Sequence, residues 1–270
     1  MNMATDRPKK PVRRGMSLPH IRGPTAGNTN QKRDVNMPCI IQNDPEVPPG
    51  LVGRELDRLG VAWSAVRPYG GEPLPELSTT AAVIVLGGAM GANDDHKHPF
   101  LTGLKSFIRE VAARDIPYLG ICLGGQLLAA SLGAEVSSGV HAEKGTYSVV
   151  LTDKGIEDRL FHGIDREFAS FQWHNDSFAI PAGAVRLAFS DACPNQAFRM
   201  GARCWGTQFH PEVDERIVRE WSSWTKGTAA RTEEFVADYR RRETEYHMVC
   251  RHMVKNFLGA AGIVTAATGT

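Results

Sequence analysis

This 270-residue chain has few of the features that are typical of membrane proteins, secreted proteins and disulfide-rich proteins. No apolar run is long enough to predict a membrane-spanning helix. The five cysteines are widely spaced and form no C-x-x-C pair, which argues against a disulfide framework or a structural zinc site and favours a reducing, cytoplasmic location. No apolar segment follows Arg13-Arg14, so we expect no secretory or twin-arginine signal.

A large excess of either charge is also lacking, because the formal net charge of the whole chain is +1. Residues 1–37 carry eight Lys/Arg against two Asp, a balance of +6 that leaves −5 for the other 233 residues. This mildly acidic remainder argues against nucleic acid as a partner. Residues 1–37 are also poor in large apolar side chains, which predicts a disordered basic tail. A targeting or nucleic-acid role for that tail stays open.

Short apolar runs alternate with helical patterns from residue 38 onward. The runs predict strands at 39–41, 61–66, 81–86 and 116–121, separated by helices at 51–59 and 104–111 and followed by a helix at 126–132. Continuously apolar runs are typical of parallel strands buried on both faces. The alternation therefore predicts an α/β fold with an open, mostly parallel sheet flanked by helices.

The pattern changes after Gly133 to closely spaced strands, which predicts an antiparallel extension of the sheet. These strands are expected at 134–137, 146–151, 167–171, 184–190, 196–200 and 203–209. A helix at 214–225 precedes a last helix whose apolar face consists of Phe235, Tyr239, Tyr246, Val249, Met253 and Phe257. We predict one domain over 38–260, between the tail at 1–37 and a flexible C-terminus at 261–270.

A cysteine lies where a predicted strand turns directly into a predicted helix. Gly120-Ile121-Cys122-Leu123-Gly124 has the spacing of a nucleophile elbow, a tight turn that lifts one side chain above the sheet. Flanking glycines suit the strained turn and the close approach of a substrate. The positive end of the following helix also favours a thiolate. The pattern predicts Cys122 as a nucleophile, and from this motif alone a buried structural cysteine stays open.

A second cluster, Phe209-His210-Pro211-Glu212, follows another predicted strand. Open α/β sheets place their sites at the carboxyl ends of strands, where His210 stands. Pro211 favours an extended backbone at His210, so the side chains of His210 and Glu212 share a face. A cysteine nucleophile needs a base, and the base needs a group that orients it. Considered without the cysteine motif, His210 could equally be an ordinary surface or core residue.

The glycine-rich segment after the third predicted strand, Leu86-Gly87-Gly88-Ala89-Met90-Gly91, is a candidate for the oxyanion hole. A phosphate-binding loop is the competing interpretation, but neither a following Lys-Ser/Thr nor the G-x-G-x-x-G spacing is present. His96 and His98 after Asp94-Asp95 are weak evidence for a metal, and we expect a solvated loop there. We expect no metal and no cofactor.

Two sequence blocks resemble the signatures of class I glutamine amidotransferases, in particular the stand-alone, GMP-synthase-like members. They are GICLGGQ at 120–126 and FHPE at 209–212. Supporting blocks are VIVLGG at 83–88, FQWHND at 171–176 and CPNQAF at 193–198. The resemblance covers roughly residues 38–225 in consistent order, and it implies a flavodoxin-like fold.

The resemblance implies a Cys-His-Glu triad that releases ammonia from the glutamine side chain through a γ-glutamyl thioester. Cys122 would attack the carboxamide, His210 would transfer protons and Glu212 would hold His210. The remaining implied contacts are the backbone N–H groups of Gly88 and Leu123 at the oxyanion, and Gly87, Gln126, Trp173 and His174 at the substrate. Nothing after residue 225 resembles a synthetase domain, so the expected partner is a separate ammonia-accepting enzyme.

Two other hypotheses remain at this stage. Gly125 stands where many relatives carry His or Ala, which predicts extra space beside the nucleophile. Together with the absence of a synthetase domain, this leaves a γ-glutamyl peptidase or hydrolase acting on γ-glutamyl amides as an alternative. The third hypothesis is a catalytically silent binding module that keeps the fold. Neither nucleic acid nor a membrane is expected as a partner, and the oligomeric state is not predicted.

Overall fold

The computed structural model of the protein describes residues 37–263. The predictions for residues 1–36 and 264–270 lie outside these residues, whereas Met37, placed in the tail by the sequence, is the first residue of a strand. The strands are β1 (Met37–Ile41), β2 (Ser64–Val66), β3 (Thr80–Val85), β4 (Tyr118–Ile121), β5 (Val136–Leu151), β6 (Glu167–Phe178), β7 (Val185–Phe189), β8 (Ala197–Met200) and β9 (Cys204–Thr207). The helices are α1 (Gly50–Arg58), α2 (Phe100–Ala113), α3 (Leu123–Ser131), α4 (Asp153–Ile156), α5 (Glu215–Ser222), α6 (Lys226–Ala229) and α7 (Thr232–Ala260).

All of these strands lie in one nine-stranded sheet with the order β2-β1-β3-β4-β9-β8-β7-β5-β6. The five strands from β2 to β9 are parallel, and β8, β7, β5 and β6 continue the sheet in antiparallel fashion. The predicted α/β sheet with an antiparallel extension is confirmed. An isolated bridge joins Phe171 of β6 to His210, so the extension curls back towards the ends of the parallel strands.

The parallel strands β1, β3 and β4 are buried on both faces, because their side chains alternate between two apolar layers. Ile40, Ile84 and Leu119 point into a core shared with α1, α5 and α7. Their neighbours Ile41 and Val83 point to the opposite side, where α2 and α3 cover the sheet. This burial explains the continuously apolar runs in the sequence.

The predicted pair of strands at 134–137 and 146–151 is wrong, because the chain forms the single strand β5 across both. β5 pairs with β6 on either side of a register shift between Ser138 and Glu143. Gly139 and Gly145 have φ values of 76° and 116°, which glycine adopts without strain. The glycines were therefore signals of an irregular strand rather than of a loop. β6 likewise extends beyond the predicted 167–171 to Phe178.

The apolar face predicted for the last helix is confirmed, because all six of its residues are buried in α7. This 29-residue helix packs against α1, α5 and the 3₁₀ turn at Arg159–Phe161. Within the described residues, no helix is both long and apolar enough to span a membrane.

Parallel strands β3, β4 and β9 are neighbours, and their carboxyl ends meet at one edge of the sheet. Gly87 follows β3, Cys122 follows β4 and His210 follows β9. The topology therefore brings together three segments that lie far apart in the sequence, at the position where open α/β sheets hold their sites.

Candidate active site

Cys122 occupies a strained turn between β4 and α3. Its backbone has φ 51° and ψ −106°, a conformation that non-glycine residues rarely adopt and that costs of order 1–3 kcal/mol. The turn is held by hydrogen bonds from Cys122 N to Thr207 O (2.8 Å) and from Gln126 N to Cys122 O (2.9 Å). The side chain lies just before the N-terminus of α3 and is 5% exposed. The nucleophile-elbow geometry expected from the sequence is thus present.

Glycines make the tight elbow sterically feasible. A Cβ on Gly120 would lie 2.4 Å from the Gly124 carbonyl group, and one on Gly124 would lie 2.1 Å from Val85 O. Backbone atoms cannot yield to such contacts, so side chains are excluded at both positions. These close approaches let β4 and α3 pack directly against β3 and against each other.

The expectation that Gly125 opens space beside the nucleophile is wrong. A Cβ on this residue would lie 2.6 Å from Thr207 O and 3.0 Å from Thr207 N. The backbone of β9 occupies the space, and Gly125 permits the close packing of α3 on that strand. Gly125 therefore does not widen the space beside the nucleophile.

His210 and Glu212 form a buried pair at the end of β9. His210 Nδ1 lies 2.7 Å from Glu212 Oε1, and the two side chains are 3% and 0% exposed. A carboxylate only accepts hydrogen bonds, so Nδ1 carries the proton and Nε2 is directed away from Glu212. The backbone of Glu212 is fixed as well, because its carbonyl accepts from Leu51 N at 2.7 Å.

The imidazole and the nucleophile converge above Gly87. A Cβ on Gly87 would lie 3.2 Å from His210 Cε1 and 3.7 Å from Cys122 Cβ, so both side chains border the same small volume. Trp221 of α5 packs edge-on against the His210 ring, with a centroid distance of 4.7 Å. The indole is itself fixed by a 2.9 Å hydrogen bond to Glu46 O. The ring of His210 is therefore held on two sides.

Opposing effects set the charge of His210. Burial lowers its pKa, but the charges of Glu212 and Cys122, together with the hydrogen bond to Glu212, outweigh burial and raise the pKa to about 10. Imidazolium is therefore the favoured form near neutral pH. A carboxylate-bound imidazole beside a cysteine is the arrangement that nucleophilic cysteine chemistry requires.

The glycine segment after β3 lies against the elbow. A Cβ on Gly88 would approach the Leu123 side chain to 2.8 Å, so these two residues are neighbours. Among the described residues, neither the Gly88 nor the Leu123 N–H donates to a backbone acceptor outside its own helix or strand. Asn43 Nδ2 donates to Leu86 O (2.7 Å), and Asp44 Oδ2 accepts from Ala89 N (3.1 Å). The segment is thus anchored on both sides of Gly87 and Gly88.

Gln126 is buried beside the elbow rather than exposed on a helix surface. Its Nε2 donates to Asp176 O (2.9 Å) and to Gln208 Oε1 (3.3 Å). Gln208, which the sequence analysis did not single out, in turn donates from Nε2 to Cys122 Sγ at 3.6 Å. The available sequence signal was its position two residues before His210, because alternate residues of an extended segment point to the same side.

Trp173 and His174 point to opposite sides of β6. Trp173 stacks on Phe171 and meets Phe235 of α7 edge-on, each at a centroid distance of 5.6 Å. Both ring nitrogens of the buried His174 have partners, namely Asp176 O (3.1 Å) and Glu143 Oε2 (3.0 Å). Their contact with a substrate stays a prediction.

The acidic and histidine-containing loop after the glycine segment has its own local contacts. Asp94 accepts from Gly91 N at 2.9 Å, and His98 packs against Phe100. Across residues 37–263, no group of three or more His, Cys, Asp or Glu side chains could hold a metal ion.

Cys122 is expected to be the thiol that iodoacetamide alkylates in the folded protein near neutral pH. Burial raises the pKa of the other four thiols, to about 11 for Cys193, to about 12 for Cys204, and upward also for Cys39 and Cys250. Since the thiolate is the reactive form, these four should react only after unfolding. Peptide mass spectrometry before and after denaturation checks this prediction. Equal modification of Cys193 in the folded state would contradict it.

The chain is similar to known proteins both in sequence and in structure. The family model described as glutamine amidotransferase class-I matches residues 52–218. A subunit of the glutamine-hydrolyzing GMP synthase of Archaeoglobus fulgidus is 34% identical over 165 residues, which are 60% of this chain and 82% of the relative.

Two solved structures share the fold over most of their length. A glutamine amidotransferase from Thermotoga maritima is 28% identical with a TM-score of 0.75, over 83% of this chain and 98% of that one. Another from Methylobacillus flagellatus is 30% identical with a TM-score of 0.76, over 87% and 98%. With the family model covering more than half of its length, this chain belongs to the class I glutamine amidotransferases.

Proposed function

We propose that this chain hydrolyses the side-chain amide of glutamine through the triad Cys122, His210 and Glu212, and that the ammonia passes to a separate acceptor enzyme. The carrying observation is the carboxylate-bound imidazole of His210, which borders the same space as the elbow cysteine. Membership of the family supports glutamine as the substrate.

Acylation begins with the Cys122 thiolate and the His210 imidazolium. The sulfur attacks the carboxamide carbon, and the negative charge moves to the amide oxygen. As the tetrahedral intermediate collapses, the C–N bond breaks and His210 gives its Nε2 proton to the leaving nitrogen, which departs as ammonia. A γ-glutamyl thioester and a neutral imidazole remain.

Deacylation restores the starting charges. His210 accepts a proton from a water molecule while the water oxygen attacks the thioester carbon. The C–S bond then breaks, the sulfur leaves as thiolate and glutamate is released. Glu212 keeps the imidazole in the tautomer whose Nε2 exchanges protons. Glu212 also stabilises the imidazolium.

The oxyanion formed in both steps needs donors that are already in place. The N–H groups of Gly88 and Leu123 are the candidates, because they lie on adjacent segments beside Cys122. Anchoring of the glycine segment through Asp44 supports this assignment, since fixed donors need no reorganisation during the reaction.

The substrate would be held by the surroundings of the elbow. Gly87 borders the space between nucleophile and base, and Gln126 is fixed beside the elbow by its hydrogen bonds to Asp176 and Gln208. For Trp173 and His174 the backbone of β6 is the better candidate contact, because their side chains are engaged elsewhere. The γ-glutamyl peptidase alternative loses its steric support, since the space at Gly125 is filled.

A separate synthetase is the proposed ammonia acceptor. The matched relative from Archaeoglobus fulgidus is named as one subunit of a GMP synthase, which supports a similar division of labour for this chain.

Incubation of the wild-type protein with glutamine tests the proposal. We expect equal amounts of glutamate and ammonia, an acid-quenched γ-glutamyl adduct on Cys122, and slower turnover of a γ-glutamyl dipeptide. Labelling of Cys122 by a diazo-ketone analogue of glutamine is expected as well. Neither product nor label at saturating reagent would instead support the silent binding module, and faster dipeptide turnover would support the peptidase.

A further inference from the structure

A buried amide side chain contacts the sulfur of the nucleophile from the side of β9. Gln208 is 0% exposed, and its Nε2 donates to Cys122 Sγ at 3.6 Å. The triad chemistry described above assigns no task to this residue. A hydrogen-bond donor beside a buried sulfur stabilises the thiolate more than the thiol, because hydrogen bonds to charged acceptors are stronger than those to neutral ones.

The orientation of the Gln208 amide follows from its neighbours. Asp176 O can only accept, so Gln126 must present its NH₂ group there, at 2.9 Å. The same NH₂ group lies 3.3 Å from Gln208, which therefore presents its Oε1 to Gln126. The remaining NH₂ group of Gln208 faces the sulfur. One backbone carbonyl thus determines both amide orientations.

The carbonyl that starts this chain of hydrogen bonds is itself held in place. His174 Nδ1 donates to Asp176 O at 3.1 Å, and His174 Nε2 lies 3.0 Å from Glu143 Oε2. The His174 and Glu143 side chains are 1% and 0% exposed. Glu143 Oε1 also accepts from Ser190 Oγ at 2.7 Å. The hydrogen-bonded path therefore continues from the nucleophile into the antiparallel extension.

We propose that Gln208 is a catalytic residue whose amide N–H stabilises the Cys122 thiolate, with Gln126 as the positioning residue that directs this N–H to the sulfur. The catalytic part of this inference rests on the proposed function, in which Cys122 is the nucleophile. A thiolate accepts the N–H bond more strongly than a thiol does, so the contact favours the ion pair with His210 before attack. It also favours departure of the thiolate when the thioester is hydrolysed.

The test compares Gln208→Met and Gln208→Glu with the matched control Gln172→Met. Gln172 is equally buried, and its amide donates to Gln196 Oε1 at 3.0 Å instead of to the sulfur. The readout is the rate of iodoacetamide alkylation of Cys122 as a function of pH, with circular dichroism as the check of folding. Glutamine kcat and KM are measured on the same variants.

We expect Gln208→Met to slow alkylation about tenfold at pH 7 and to move the profile to higher pH. Gln208→Glu should be slower still, because it places a carboxylate near the thiolate while keeping the size of the side chain. Gln126→Met, which releases the Gln208 amide, should move the profile in the same direction. Gln172→Met should keep the wild-type profile.

A wild-type alkylation profile in both Gln208 variants would overturn the inference, and so would an equal slowing in Gln172→Met. Alkylation consumes no glutamine, so its result is separate from the fate of the proposed function. If the wild type failed to hydrolyse glutamine but the Gln208 variants slowed alkylation, the role of Gln208 at the thiolate would stand.

Discussion

Replacing Cys122 with serine is expected to reduce glutamine hydrolysis by about 10⁴-fold or more. The substitution exchanges one atom and keeps the strained backbone of the elbow. A hydroxyl is far less ionised than a thiol at neutral pH and is the weaker nucleophile, so attack on the carboxamide would be slow although His210 keeps its pairing with Glu212. The measurement is the rate of glutamate release under saturating glutamine, together with loss of the quenched γ-glutamyl adduct.

Cys193→Ser is the matched control for this substitution. Cys193 is buried like Cys122, and its sulfur donates to Asn195 O at 3.7 Å, a role that a hydroxyl can take over. We expect this variant to keep wild-type activity. Unchanged hydrolysis in Cys122→Ser, or a comparable loss in Cys193→Ser, would contradict the assignment of Cys122 as nucleophile.

The sequence was most informative where the signal is local. The strand before Cys122 and the helix after it follow from apolar patterning, and the flanking glycines mark a turn that tolerates no side chains. The pairing of His210 with Glu212 follows similarly from two-residue spacing in an extended segment. Such features depend on a few neighbouring residues, and the structure reproduces them.

Features that depend on distant segments escaped prediction. The space at Gly125 was misjudged because β9, 82 residues later in the chain at Thr207, supplies the atoms that fill it. The role of Gln208 was missed because its orientation depends on the carbonyl of Asp176. Neither sequence spacing nor composition reveals how β9 and β6 pack against the elbow and α3.

The extended strand β5 illustrates a related difficulty. Its glycines and polar residues between 137 and 145 have the composition of a loop, yet the backbone continues alongside β6. Gly145 has a φ of 116° and lies under Phe235 of α7, where a Cβ would come within 3.1 Å of the ring. The glycine serves close packing with a helix some 90 residues away, which local propensity cannot reveal.

The burial of the triad carboxylate connects the active site with α7. Glu212 is 0% exposed, and its Oε2 has no hydrogen-bond partner within the part of the chain that is described. Its charge reaches Cys250 of α7, where burial and then Glu212 raise the pKa of the thiol. Poor solvation strengthens the attraction between the carboxylate and the His210 imidazolium, because water does not screen it.

Glu212→Gln is expected to reduce glutamine hydrolysis by roughly 10³-fold while leaving the fold intact. The amide oxygen of glutamine can still accept from His210 Nδ1, so the geometry is kept and the negative charge is lost. With the Glu212 charge gone, only the charge of Cys122 still opposes burial, so the pKa of His210 falls from about 10 towards its ordinary 6.5. The imidazolium that protonates the leaving nitrogen becomes scarce at neutral pH. NMR titration of His210 and the pH profile of hydrolysis measure both effects.

The same substitution removes a pH dependence of stability. In the wild type, the pKa of His210 is raised on folding, so its stabilising contribution is fully present below pH 6.5 and is lost as the pH rises through about 10. Denaturant unfolding should therefore show a decline in the wild-type free energy of unfolding across this window and a smaller decline in Glu212→Gln. The surface variant Glu220→Gln, which lies on α5 and pairs with exposed Arg216, serves as the control and should keep the wild-type slope. Equal slopes in wild type and Glu212→Gln, or full activity in the latter, would show that the carboxylate does not hold a proton on His210.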